Sequence, residues 1–414
     1  GIAFGGTCVL ALSDASYLAE GTTLDPNGKY TINGDPTADM IVVPEDLIYN
    51  GKAQELDGNI YIDDSKTGTG TYFGRTFTVN ASKDGWNYTI SPAEVKEAGE
   101  YTATFKKGDK EISKTFTVAK SGTQFVEDGA VKTYKDGAEC SDFTAGDTIT
   151  VRAAPTATGK APDNSAMFAA SFTGPGAGQM AVFVNDTQVS QPSEAVDGSY
   201  TMTVSASDVL LAAGGPGTGI TLTARFTAND NMADGTGTAT VNITAVAVAE
   251  KDGKVIGYYG ESNLDDAFTN DGATVTLLAD VKRANTLTIK ANCTLDLGGH
   301  NITFTGTENA WVQGSVTTMT IRGEGEIVSE QSYALVVSGS VTLEGGTFTS
   351  NGGNSAGVYV NSDVASLSVT GEYVTIRNTG GGYGLAVNYA QSVQLSAGTY
   401  KGEKAVSIVS GTTT

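Results

Sequence analysis

Ser340-Val-Thr-Leu-Glu-Gly-Gly-Thr-Phe348 is the stretch from which the rest of this chain can be read, because its pattern keeps returning. Val341 and Leu343 flank a polar Thr342, and a glycine pair then leads into an aromatic residue. The same apolar-x-apolar pair occurs at Val275/Leu277, Leu295/Leu297, Met319/Ile321, Leu367/Val369 and Val393/Leu395. The first members of the whole series lie 20, 24, 22, 26 and 26 residues apart. A strand sends alternate side chains to opposite faces, so each pair puts two apolar groups on one side and a small or polar group on the other.

Two further sets keep step with the first. Ile302/Phe304, Ile327, Phe348, Tyr373 and Tyr400 follow the pairs, most of them just after a glycine that turns a tight corner. Leu335/Val337, Val358/Val360, Leu385/Val387 and Val406/Ile408 come next. Three short strands per repeat predict a parallel β-helix from Ala273 to Gly411, its coils stacked about 4.8 Å apart. On this reading Tyr373 and Tyr400 occupy core positions. One coil cannot bury its inner face alone, so each depends on its neighbours.

Cys293-Thr-Leu-Asp-Leu-Gly-Gly-His-Asn-Ile302, followed by these coils, resembles the right-handed β-helix of the pectate-lyase-like superfamily. More narrowly it is similar to the non-enzymatic or uncharacterised β-helices in large surface proteins of gut Gram-positive bacteria. The resemblance covers about the last third of the chain and specifies fold better than activity. Just before it, Glu261-Ser-Asn-Leu-Asp-Asp-Ala-Phe-Thr269 reads as a short amphipathic helix with Leu264, Ala267 and Phe268 on one face. Such a helix is expected to plug the first coil.

Composition narrows the class. With 53 glycines, 9 prolines and almost no long helical periodicity, the 414 residues read as an all-β chain of several domains. The formal charge of −21 disfavours a nucleic-acid groove or an anionic membrane surface and suits a soluble, secreted protein. No apolar run is long enough to span a membrane. Cys8, Cys140 and Cys293 are too few and too far apart for a disulfide framework or metal knuckle, and Cys293 reads as a small core residue. The chain lacks an initiating Met and stops at Thr414 within what reads as an unfinished coil. It is therefore expected to be a fragment whose signal peptide and wall anchor lie outside it.

The expected architecture is all-β: two immunoglobulin-like β-sandwiches followed by the right-handed parallel β-helix. Residues 1–37 form a lead segment of turns and short strands, expected to complete a neighbouring sandwich or to belong to a preceding domain. Residues 38–120 alternate as a sandwich. Within them Glu97-Ala-Gly-Glu-Tyr-Thr-Ala-Thr-Phe105 resembles the tyrosine corner of immunoglobulin-like folds, and Leu47-Ile-Tyr-Asn-Gly-Lys-Ala-Gln54 the opening of bacterial immunoglobulin-like repeats. Trp86 reads as an edge-packing residue. Residues 121–250 make the second sandwich, with a helical turn near Ser207 to Gly214 and Gly/Pro-rich loops such as Thr173 to Gly178. Residues 251–414 hold the β-helix and its cap, and Lys251-Asp-Gly-Lys254 reads as a hairpin turn.

Chemistry has few places to sit. A glycosidase needs converging carboxylates, and a pectate-type lyase needs a calcium-holding acidic cluster with a base. Asp296, Glu324, Glu326, Glu344, Asp363 and Glu372 are instead spread over separate coils, and Arg322 and Arg377 belong to different strands. His300, the only histidine, reads as a corner residue. Aromatics are better placed for recognition: Tyr359 lies between Val358 and Val360 and should point outward. Trp311, Tyr359, Tyr383 and Tyr389 are the candidate ligand-binding residues, able to stack on sugar rings. Asn229, Asp230, Asn231 and Asp234 offer oxygens at short spacing, so Ca2+ is the one cofactor considered. The EF-hand Glu is missing there, and a plain turn is the simpler reading.

The expected function is that of an extracellular bacterial cell-surface protein, adhesin-like, displaying its β-helix to a glycan or host ligand. A secreted polysaccharide lyase or glycoside hydrolase and a structural spacer are the alternatives.

Overall fold

Runs in which valine, isoleucine or tyrosine alternate with threonine or serine build strands along most of the chain. The computed structural model describes residues 23–24, 30–72, 75–125, 130–158, 178–196, 198–313 and 317–409. It is mostly β and ends in a parallel β-solenoid of about 5 turns. Among the described residues no helix is long and apolar enough to cross a membrane. Cys8 and nearly all of the Thr173 to Gly178 loop lie outside the described residues.

The N-terminal unit has two main sheets. One orders Leu47–Ile48, Lys110–Ala119, Gly99–Lys107 and Asn87–Ser91; the other orders Thr23–Leu24, Tyr30–Gly34, Arg75–Ala81 and Gly68–Tyr72. Tyr30–Gly34 pairs in parallel with Arg75–Ala81, so this part of the lead segment completes a sheet of its neighbour. The Tyr101 hydroxyl donates to Glu97 O at 2.9 Å and accepts from Lys96 N at 3.2 Å. Trp86, read as an edge-packing residue, lies just before the edge strand Asn87–Ser91 and belongs to the buried core cluster.

A second unit packs Ala138–Glu139, Lys132–Lys135, Thr148–Ala153 and Tyr200–Ser205 as one sheet. Its other sheet runs Asp142–Thr144, Gly235–Thr244, Gly217–Phe226, Gln179–Val184 and Thr187–Gln188. The helix Ala206–Ala213 ends at Gly214, whose φ of 87° only glycine adopts easily.

Between this unit and the solenoid lies a hairpin, Ala247–Lys251 with Lys254–Tyr259, turned by Asp252 and Gly253 at positive φ. The turn is legible in the sequence; the use made of the strands is not. Ala247–Lys251 pairs antiparallel with Ala273–Leu277 and so covers the edge of the first solenoid strand. Alternation gives the ribbon two apolar sides. Ala247 and Ala249 belong to the solenoid core, whereas Val248 and Tyr258 pack on the second unit, where Tyr258 N donates to Ser207 Oγ.

The solenoid has three faces. The first stacks Ala273–Leu277, Cys293–Asp296, Thr318–Arg322, Ser340–Leu343, Ser366–Val369 and Ser392–Leu395 in parallel. The second runs Val281–Arg283, His300–Phe304, Gly325–Ser329, Thr347–Ser350, Thr375–Asn378 and Thr399–Lys401. The third runs Leu287–Ile289, Trp311–Gln313, Leu335–Val337, Ala356–Asn361, Tyr383–Tyr389 and Lys404–Ile408. Leu264, Ala267 and Phe268 are buried in the core at the first turn, where the plug was expected.

Register corrects the apolar ladder in one respect. Ala273/Val275 stacks on Cys293/Leu295, which stacks on Met319/Ile321, so the first two pairs begin two residues earlier than Val275/Leu277 and Leu295/Leu297 imply. A shift of two keeps every side chain on the same face, which is why the misreading leaves the fold unchanged. It makes Cys293 a rung of the ladder itself. Burial, and behind it the charge of Asp271, pushes its thiol from the ordinary 9.0 to about 11. An unfolded chain would ionise first, so stability from this site is whole below pH 9 and lost as pH rises toward 11. Iodoacetamide at pH 8 should leave the Cys293 peptide unmodified until denaturant is added; mass mapping that finds it alkylated in the native protein would contradict this.

Tyr373 is the second correction. It is 87% exposed, and Ile376 takes the core position above Phe348. Tyr400 does follow Ile376 in that stack and is half-buried at the last turn.

Candidate functional site

On the third face one outward row reads, in register, Val336, Tyr359, Ala386 and Ser407. Tyr359 stands outward between the buried Val358 and Val360, as the alternation requires. Its ring stacks on that of Tyr333 with centroids 4.4 Å apart and planes inclined by 15°. Val336, the outward residue one turn before Tyr359, is buried beside this pair. Burial, together with the adjoining Tyr359, raises the Tyr333 hydroxyl above its ordinary range.

The other candidates also lie on third-face strands. Tyr383 and Tyr389 occupy the two ends of one strand, so they flank Ala386 and do not meet. Tyr383 is half-buried with Lys404 Nζ 5.6 Å from its ring centroid, and Tyr389 is exposed. Trp311 opens a strand two turns before Tyr359, and its side chain lies outside the described residues. Between Tyr359 and Tyr389, Asn388 Nδ2 donates to Asn361 Oδ1 at 2.9 Å. Tyr333 and the asparagine pair were missed as members of one site. Tyr333 sits outside the repeat, before its strand starts, and the Asn361 to Asn388 contact requires register knowledge across turns.

No protein-family model and no curated protein matches the sequence. One similar solved structure is a chimeric titin Z1Z2-Z1Z2 tandem (Z1212) functionalized with a GRGDS exogenous peptide from fibronectin. It shares 12% identity over 37% of this chain and 69% of that one, with a TM-score of 0.18. So low a score carries no argument about fold or function.

Two of the solenoid carboxylates, Asp296 and Glu326, pair with arginines. Arg322 Nε donates to Asp296 Oδ2 at 3.0 Å on the first face, and the outward row there runs Asp296, Arg322, Glu344. On the second face Arg377 donates to Glu326 Oε1 at 2.8 Å and to Thr349 Oγ1 at 2.7 Å, while Thr349 also donates to Glu326. The two arginines thus serve different faces, as their places in the repeat imply. His300 Nδ1 lies 3.6 Å from Asp280 Oδ1 at the corner between first and second faces.

The Asn229 to Asp234 loop uses its oxygens internally and as a clasp. Asn229 Oδ1 accepts from Asn231 N and Met232 N, and Asp234 Oδ1 accepts from Ala228 N. Asn231 reaches the N-terminal unit, accepting from Ala98 N at 2.8 Å and donating to Glu97. Lys120 Nζ donates to Asn229 O. Asp230 is exposed. Among the described residues no group of three or more His, Cys, Asp or Glu is arranged to hold a metal.

Proposed function

We propose that this chain belongs to an extracellular, adhesin-like bacterial cell-surface protein. In this reading two immunoglobulin-like sandwiches carry a right-handed, pectate-lyase-like β-helix, and the third face of that β-helix binds a glycan or host ligand. The Tyr333 and Tyr359 ring pair carries the reading. A tyrosine held against a neighbour on a rigid sheet offers an apolar surface and a polar tip without ordering cost, which suits the C–H face of a sugar.

Other observations support the modular part. Each N-terminal unit is built of strands in two main sheets, and Tyr101 makes the backbone contact to Glu97 that the tyrosine-corner resemblance implies. The clasp at Asn231 and the two-sided hairpin give the series stiff joints, as a display stalk needs. Asp296 and Glu326, each engaged by an arginine on a different face, give the lyase or hydrolase reading little to build on.

The experiment is binding of the whole chain to a glycan array and to host matrix proteins, with Tyr359→Ala alongside. The substitution should weaken a bound ligand by about tenfold or more while leaving the melting temperature nearly unchanged. Undiminished binding would remove the ring pair from the site. A wild-type chain that binds nothing would favour a spacer, and sustained release of unsaturated product from an acidic polysaccharide would favour a lyase.

A further inference from the structure

We infer that the ligand seat is a shelf on the C-terminal side of Tyr359, and that it takes one pyranose ring of a neutral saccharide. This rests on the glycan reading above and narrows it. In register beyond Tyr359 the outward residues are Ala386 and then Ser407, while Tyr383 and Tyr389 stand at the two ends of the Ala386 strand. A tall ring followed in register by a small residue leaves a step, with Tyr359 as its wall, Ala386 as its floor and the exposed Tyr389 at its far end. Tyr359 and Ala386 are partly exposed.

The polar side of the step is also built. Asn388, two residues beyond Ala386, is the extra residue where the pairing shifts between Val360/Val387 and Asn361/Tyr389, and it is partly exposed. Its amide donates to Asn361, which holds both side chains in place. Each amide has two donor hydrogens and an acceptor oxygen, and the mutual bond uses one donor of Asn388 and one acceptor of Asn361. What remains can meet vicinal hydroxyls of a ring lying over Ala386. No carboxylate or arginine occupies the outward row itself. The formal charge of −21 works against accumulation of a polyanion. An apolar wall, a small floor and a neutral amide pair are complementary to a neutral sugar.

The test compares wild type, Ala386→Trp, Asn388→Ala and a first-face control, Thr342→Trp, all in the whole chain. Probes are soluble xylan, β-glucan and galactan, with polygalacturonate as the acidic comparator. Ala386→Trp fills the shelf and should weaken binding to a neutral polymer by about tenfold or more, Asn388→Ala by about threefold or more, and Thr342→Trp not at all. Circular dichroism establishes folding, and if Ala386→Trp fails to fold, Asn388→Ala decides alone. Loss in Tyr359→Ala with full binding in the folded shelf variants overturns the shelf and leaves the aromatic site standing. Preference for polygalacturonate overturns the neutral class, and a wild type that binds none of these polymers or any arrayed glycan overturns both readings.

Discussion

Replacing Phe348 by alanine should destabilise the solenoid by roughly 3–5 kcal/mol, the usual cost of emptying a buried phenylalanine site. Phe348 stacks between Ile327 and Ile376 on the inside of the second face, and all three are fully buried. Each turn touches only the turns before and after, so stability is close to a sum of neighbour terms. The loss should therefore be local. Hydrogen exchange should quicken in Gly325–Ser329, Thr347–Ser350 and Thr375–Asn378, while Thr148–Ala153 in the second unit keeps its protection. A variant that exchanges like wild type, or one that loosens both units equally, would show that the turns are not coupled in this way.

Phe268→Ala should have a comparable cost, again about 3–5 kcal/mol, at the opposite end of the ladder. Phe268 is fully buried beneath the first turn, and its carbonyl accepts from Lys290 N just past the Leu287–Ile289 strand. Without the ring, the inside of the first turn loses its largest cover, although Ala273–Leu277 keeps its pairing with Ala247–Lys251. Leu287–Ile289, beside which Phe268 lies, should lose protection first, and the turns around Val341 should follow only at higher denaturant. Equal loss along the whole solenoid would mean that the helix does not act as a plug.

These two positions also show how far the residues could be read without coordinates. Phe348 was legible because a glycine pair fixes its corner and because Val341/Leu343 announces the preceding strand. Tyr373 copies the local part of that signal, following Gly371 by two residues, yet it lies outside. Val369 to Ile376 is two residues longer than Leu343 to Phe348, and the longer corner swings Tyr373 into solvent while Val374 and Ile376 turn in. Local glycine spacing cannot reveal that, since the loop length is judged against the next turn.

The first turn was the least legible. Val281–Arg283 offers one apolar residue among two charged ones, and Leu287–Ile289 is separated from it by only three residues, so neither stood out as a strand. Both are held by pairing with the next turn, a constraint that no window of sequence contains. On the third face, the outward Tyr359 follows from simple alternation between two valines. Its partner Tyr333 does not, because the two meet only across neighbouring turns.

The ribbon from Ala247 to Tyr259 has a mechanical consequence. It is a wall common to two interiors, so the solenoid cannot swivel on the second unit without pulling Val248 and Tyr258 from one and Ala247 and Ala249 from the other. Drag on the far turns is then transmitted to the second unit as torque instead of being absorbed by a hinge.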